Sequence, residues 1–248
     1  MATERRRWTR EETIICLDLY FRIPSSKTTS RNPEVIKIAK LINRTPDSVN
    51  LKVHNFTSLD DTLIQKGLGH TSNLDREVWE EFQGDYYTLI DKTRESRELF
   101  FNEDIYEKEN QVVGIDVSGY VPNRRGQKFF RESILASYNE SCCITGLKVA
   151  NLLIASHIKS WKESTKHERV DPQNGLCLNA LHDKAFDRGL ITVSTDYKIR
   201  TSERLKKHDS KQVKEFFMKY EGLKIDLPER LPPDKDFLDW HEKNIFIR

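Results

Sequence analysis

Between Trp8 and Arg22 the apolar positions fall at Ile14, Ile15, Leu17, Leu19 and Phe21, and Thr9 stands three residues before Glu12. That arrangement predicts a helix opened by a capping box, in which the hydroxyl and the carboxylate each satisfy a backbone N–H that a helix start leaves free. Asn32-Pro33-Glu34 predicts the start of a second helix running through Ile36, Ile38, Ala39 and Leu41. Thr45-Pro46-Asp47 predicts a third, through Phe56, with a threonine N-cap and a proline where no N–H is needed. Three short helices with tight connections predict a helix-turn-helix or winged-helix fold. On the third, Val49, Val53 and Phe56 repeat at helical spacing and should face the core, leaving Asp47, Ser48, Asn50, Lys52 and Asn55 to solvent or a ligand. The stretch 60–73, with Gly67 and Gly69, is the expected wing or loop, and Asp75 to Phe101 reads as one long helix.

The second half of the chain patterns differently. Leu152 to Ile158 is an apolar run bounded by polar segments, which predicts a short buried strand with His157 near its end. Farther on, Phe216, Phe217, Phe237 and Trp240 supply enough apolar surface to pack on that core, and Leu231-Pro232-Pro233 marks a turn between two late elements. An acidic stretch poor in glycine separates the halves. The expectation is an α+β chain: a helical domain at residues 1–101, a linker at 102–113 and a second domain at 114–248.

Composition narrows the class. The 248 residues are 32% charged with a mean hydropathy of -0.68, no apolar run approaches a membrane span, and MATERRRWTREE lacks the apolar core of a signal peptide. A cytoplasmic protein is expected. Cys16, Cys142, Cys143 and Cys177 include no CxxC pair, so a structural zinc site is not expected, and the vicinal pair reads as small hydrophobes. Net charge is only +2, but cations cluster at Arg5, Arg6, Arg7 and Arg10, at Arg124, Arg125 and Lys128, and at Arg204, Lys206, Lys207 and Lys211. Such runs suit nucleic-acid phosphates as well as solvated helix faces.

The chemistry-bearing residues come in a fixed order: His157 at the end of the strand, Asn174-Gly175, then LHDKAFD with His182, Asp183 and Asp187. On a helix Asp183 and Asp187 share a face, whereas His182 and Asp187 diverge. The segment from Cys143 to Ile191, with flanks RRGQKFFRESILASYNESCCITG and FLDWHEKNIF, resembles the HNH nucleases, metal-dependent endonucleases with a ββα-metal fold. The resemblance implies that His157 is the general base and that Asn174 fastens the loop between the two parts of the motif. It implies metal ligands about nine and thirteen positions after Asn174, which gives Asp183 and Asp187, while this branch usually presents the histidine here numbered His182. All three are kept, with His182 and Asp187 ranked first. Where many HNH enzymes have Asp or His before the base, this chain has Ser156, a weak ligand for a hard cation, so water and phosphate oxygens would complete the shell. Mg²⁺ is the expected ion, with Mn²⁺, Ni²⁺ and Zn²⁺ as alternatives.

The N-terminal segments RRRWTREETIICLDLY, NPEVIKIAKLINRTPDSVNLKVHNFTSLD and LDREVWEEF resemble winged-helix sensors of modified DNA, including methylated adenine, in modification-dependent restriction enzymes. That resemblance implies a double-stranded DNA partner read by Ser48, Asn50, Lys52 and Asn55, with Phe56, Trp79 and Tyr86 as candidates for a pocket or for the core. One active site per chain and two strands to cut favour a homodimer. The competing readings are a restriction or homing-type nuclease for unmodified sequence and a non-catalytic DNA-binding regulator.

Overall fold

A computed structural model describes residues 6–63, 71–100 and 121–248. The expected linker at 102–113 and the middle of the expected wing, 64–70, lie outside these residues. The chain divides into two compact units, Met1–Phe129 and Phe130–Arg248. Small sheets and many helices make it α+β.

In the first unit the described residues form α1 (Arg10–Arg22), α2 (Pro33–Leu41), α3 (Pro46–Thr57), α4 (Asn73–Phe82) and α5 (Tyr86–Glu98). Thr9, Asn32 and Thr45 cap the first three as their spacing predicted, and Thr9 and Glu12 close the capping box. The α1 helix packs against each of the other four and is buried on nearly every side. Its Tyr20 and Phe21 meet Phe56, Trp79 and Tyr86 with ring centroids 5.2 to 6.0 Å apart. Those three candidates for a ligand pocket therefore belong to the core.

Two expectations need correction. The long helix over 75–101 is broken: α4 stops at Phe82, Gly84 takes a left-handed φ of 81°, and Asp85 caps α5 by accepting from the Thr88 amide at 3.1 Å. Lys52 is not solvent-accessible. It stands three residues after Val49 and four before Phe56, so it shares their inward face, where it is 3% exposed and ion-paired with Asp75. Asp75 also accepts from Asn55 Nδ2 at 3.0 Å and from the Ser72 amide at 3.0 Å. A buried carboxylate at a helix start needs such partners, and α3 supplies two of them.

The second unit begins within α6 (Val121–Ser137) and continues through β1 (Leu153–His157), β2 (Gly175–Asn179), α7 (Ala180–Asp187), β3 (Ile191–Val193) and β4 (Ile199–Thr201). Three further helices follow: α8 (Glu203–Lys206), α9 (Lys211–Phe216) and α10 (Lys235–Asn244). Strands β1 and β2 are antiparallel, with Leu153 opposite Asn179 and His157 opposite Gly175. The chain passes from β2 straight into α7, which packs on both strands and completes a ββα unit. Phe130, Ile134, Leu153, Leu176, Leu178, Phe186 and Leu238 fill its core, with Phe217 and Phe237 against the edge, whereas Phe216 is exposed. All four cysteines are buried free thiols. No helix among the described residues is long and apolar enough to cross a membrane.

Candidate functional site

His157 is delivered by the last position of β1 and fixed on three sides. Its ring stacks on Phe130 at 3.8 Å and 9°, and Trp161 meets it edge-on at 5.6 Å. The stack depends on Gly175, its cross-strand neighbour. A Cβ there would lie 2.5 Å from Ile134 Cδ1 and 2.7 Å from Phe130 Cζ, so only glycine lets α6 approach this closely. The Nε2 of His157 lies 3.0 Å from the Arg169 carbonyl, which can only accept, so Nε2 carries the proton. Nδ1 has no protein partner among the described residues and keeps its lone pair. Burial pushes the His157 pKa below the ordinary imidazole value; the Arg169 carbonyl opposes this and the Arg169 charge reinforces it.

Asn174 is fully buried and ties down the loop over residues 158–174. Its Oδ1 accepts from the Lys159 amide at 2.8 Å, and its Nδ2 donates to the carbonyls of Glu168 and Lys159, at 3.0 and 3.3 Å, and to Ser164 Oγ at 3.3 Å. Its own carbonyl accepts from the Ile158 amide at 2.9 Å. The side chain thus closes a loop whose Arg169 carbonyl sets the His157 tautomer.

Asn179, which the sequence reading did not single out, ends β2 and caps α7. Its Oδ1 accepts from the amides of Leu181 and His182 at 3.1 and 3.0 Å, and its Nδ2 donates to Thr145 Oγ1 at 3.2 Å. An asparagine directly before a predicted helix was the available signal. His182, ranked high as a ligand, is 3% exposed with both ring nitrogens occupied inside the protein. Nε2 lies 2.9 Å from the Phe216 carbonyl and Nδ1 lies 3.0 Å from Asn179 Oδ1.

Asp183 and Asp187 do share a face of α7, four residues apart. Burial raises the Asp183 pKa above the usual carboxylate value, opposed by the Ser156 hydroxyl and Lys184. Burial also raises that of Asp187, and the Asp183 charge adds to it. Ser156 is buried, and its Oγ makes no hydrogen bond of normal geometry although it lies close enough to influence Asp183. Ser156 is the residue before His157, so one strand carries both His157 and the hydroxyl that acts on Asp183. No hydrogen bond joins His157 to either carboxylate. Among the described residues no three His, Cys, Asp or Glu side chains gather as a ready metal site. Two like charges that Lys184 and Arg188 offset only in part, with the Ser156 hydroxyl close to one of them, nevertheless fit a hard divalent ion that keeps much of its water.

Residues 142–194 match the HNH endonuclease family. The second unit carries an HNH endonuclease domain. The matched span covers β1, β2, α7 and β3 together with His157, Asn174, His182, Asp183 and Asp187, as the sequence resemblance led us to expect. A search of curated proteins finds no match. Among solved structures a modification dependent TagI restriction endonuclease aligns over 47% of this chain and 37% of that chain, at 17% identity and a TM-score of 0.29, a likeness too slight to carry a functional argument.

Proposed function

We propose that this HNH protein is a metal-dependent DNA endonuclease of the restriction type that hydrolyses phosphodiester bonds, with its first unit selecting modified sites. The observation that carries the nuclease reading is the state of His157. Its Nε2–H is held by the Arg169 carbonyl while Nδ1 is left free, one residue from the Ser156, Asp183 and Asp187 cluster. Nδ1 takes the proton of an attacking water, and the Arg169 carbonyl steadies the imidazolium that forms. A lowered pKa keeps the base neutral and ready at physiological pH.

Asp183 and Asp187 would hold the ion, with Ser156 beside them and His182 positioning α7. A bound divalent cation would supply charge stabilisation at the phosphate and the leaving oxygen. Oxygen donors favour Mg²⁺ or Mn²⁺ over Zn²⁺ and Ni²⁺. For the first unit, the side chains of Ser48 and Asn50 on α3 make no hydrogen bond among the described residues and would serve base or phosphate contacts, Asn50 through its amide nitrogen because its Oδ1 is buried, whereas Lys52 and Asn55 serve Asp75. Selection of methylated sites, adenine among them, rests on the N-terminal resemblance alone, and a homodimer on the need to cut two strands.

The test is cleavage of plasmids from methylation-proficient and methylation-deficient hosts with Mg²⁺ or Mn²⁺, beside the His157→Ala protein. The proposal expects preferential cutting of modified DNA, lost in His157→Ala with DNA affinity retained. Equal cutting of both plasmids would point to a reader of unmodified sequence. Wild-type rates in His157→Ala would overturn the base assignment.

A further inference from the structure

Arg169 does more than lend a carbonyl to His157. Its amide donates to the Thr165 carbonyl at 3.0 Å and its Nε donates to the Trp161 carbonyl at 2.9 Å, while its Cζ sits 5.0 Å from the centre of the Trp161 ring. Trp161 in turn meets His157 edge-on. The guanidinium is therefore pinned through one of its five N–H donors and one face, and among the described residues the Nη groups make no hydrogen bond. The inward-turned Lys159 of the same loop is matched by both oxygens of Glu168, at 2.8 and 2.9 Å. No carboxylate among the described residues matches Arg169.

We propose that Arg169 is a phosphate-binding residue of the nuclease site, its Nη groups donating to a non-bridging oxygen of a DNA phosphodiester beside His157. The inference rests on the endonuclease reading above. An immobilised guanidinium loses little freedom on binding and offers the forked geometry that phosphate oxygens accept.

The experiment compares the full chain with Arg169→Gln and Arg169→Lys. Binding to a fluorescein-labelled 30-bp duplex is titrated without metal at several salt concentrations, and plasmid nicking is measured with Mn²⁺. Arg169→Gln is expected to reduce the slope of log affinity against log salt by about one and to slow nicking about 10- to 100-fold. Arg169→Lys, which loses the Trp161 bond but keeps the charge, should retain the slope. An unchanged slope in Arg169→Gln overturns the proposal even if nicking falls, because Arg169 would then only prop Trp161. In the unaltered protein, phenylglyoxal labelling read by peptide mass spectrometry should show Arg169 protected by the duplex; equal labelling with and without DNA overturns it as well, whether or not the variants fold. A wild-type chain that binds the duplex but cuts nothing refutes the endonuclease reading while the slopes still test Arg169. A chain with no DNA affinity refutes both.

Discussion

Replacing Asn174 by alanine separates the loop from the strand it is sewn to. The substitution leaves the buried Lys159 amide without an acceptor and removes the donor to the Glu168 carbonyl, the strongest of the Nδ2 bonds at 3.0 Å. An unsatisfied buried amide costs about 1–3 kcal/mol and each lost carbonyl bond about 1 kcal/mol, so roughly 3 kcal/mol is expected in all. For a unit of this size that lowers Tm by about 10 °C. Activity should suffer more than stability. The freed loop carries the Arg169 carbonyl away from His157 Nε2, and a base without its fixed tautomer loses about 100-fold or more in rate. Asn174→Asp keeps the acceptor for Lys159 but sets a carboxylate against the Lys159 and Glu168 carbonyls, so it should be no better. Scanning calorimetry and plasmid nicking on folded protein at 20 °C read the two effects separately. An Asn174→Ala protein with unchanged Tm and unchanged nicking would refute the reasoning.

Three further outcomes follow from individual side chains. His241 stacks on Phe186 with Nε2 near the Phe186 carbonyl and Nδ1 near Thr192 Oγ1, and burial pushes its pKa down to about 4. Between that value and the unfolded value of about 6.5 only the unfolded chain binds the proton, so stability present above pH 6.5 is lost toward pH 4, by up to roughly 3 kcal/mol. His157 and His182, also lowered, add to the loss, whereas Asp171, raised by burial to about 6, opposes it. The readout is therefore the difference between wild type and His241→Gln in urea unfolding at pH 7 and pH 5, and equal pH dependence would rule the assignment out. Lys52→Met strands the Asp75 charge and should destabilise the first unit by about 3–5 kcal/mol, with much of this regained in Lys52→Met/Asp75→Asn; a neutral single substitution in urea titration contradicts the buried pair. Asp183→Asn and Asp187→Asn should raise the Mg²⁺ or Mn²⁺ concentration needed for half-maximal nicking, while His182→Ala should lower Tm and leave that concentration unchanged; the reverse pattern would make His182 the ligand.

The sequence alone determined the local features. Thr9, Asn32 and Thr45 announced three helix starts because an orphan backbone N–H is satisfied by a side chain within three residues of it. The strand ending at His157, the asparagine before the glycine of β2 and the shared face of Asp183 and Asp187 were legible for the same reason of short range. Gly84 was also visible, and reading through it as one helix ignored the conformation that a glycine permits. What the tertiary structure decided was partnership at a distance. Lys52 belongs to Asp75, 23 residues on, and His182 to the Phe216 carbonyl, 34 residues on. Phe130 reaches His157 only because Gly175 has no side chain, and Arg169 comes to the base only because Asn174 closes the loop. Caps and periodicity are set by neighbours along the chain, but whether a polar side chain faces solvent, a ligand or a buried counter-charge depends on which distant segment packs against it. The sequence therefore pointed to the proposed base His157 and to the loop fastener Asn174, and folding decided which of the remaining polar groups stayed free for chemistry.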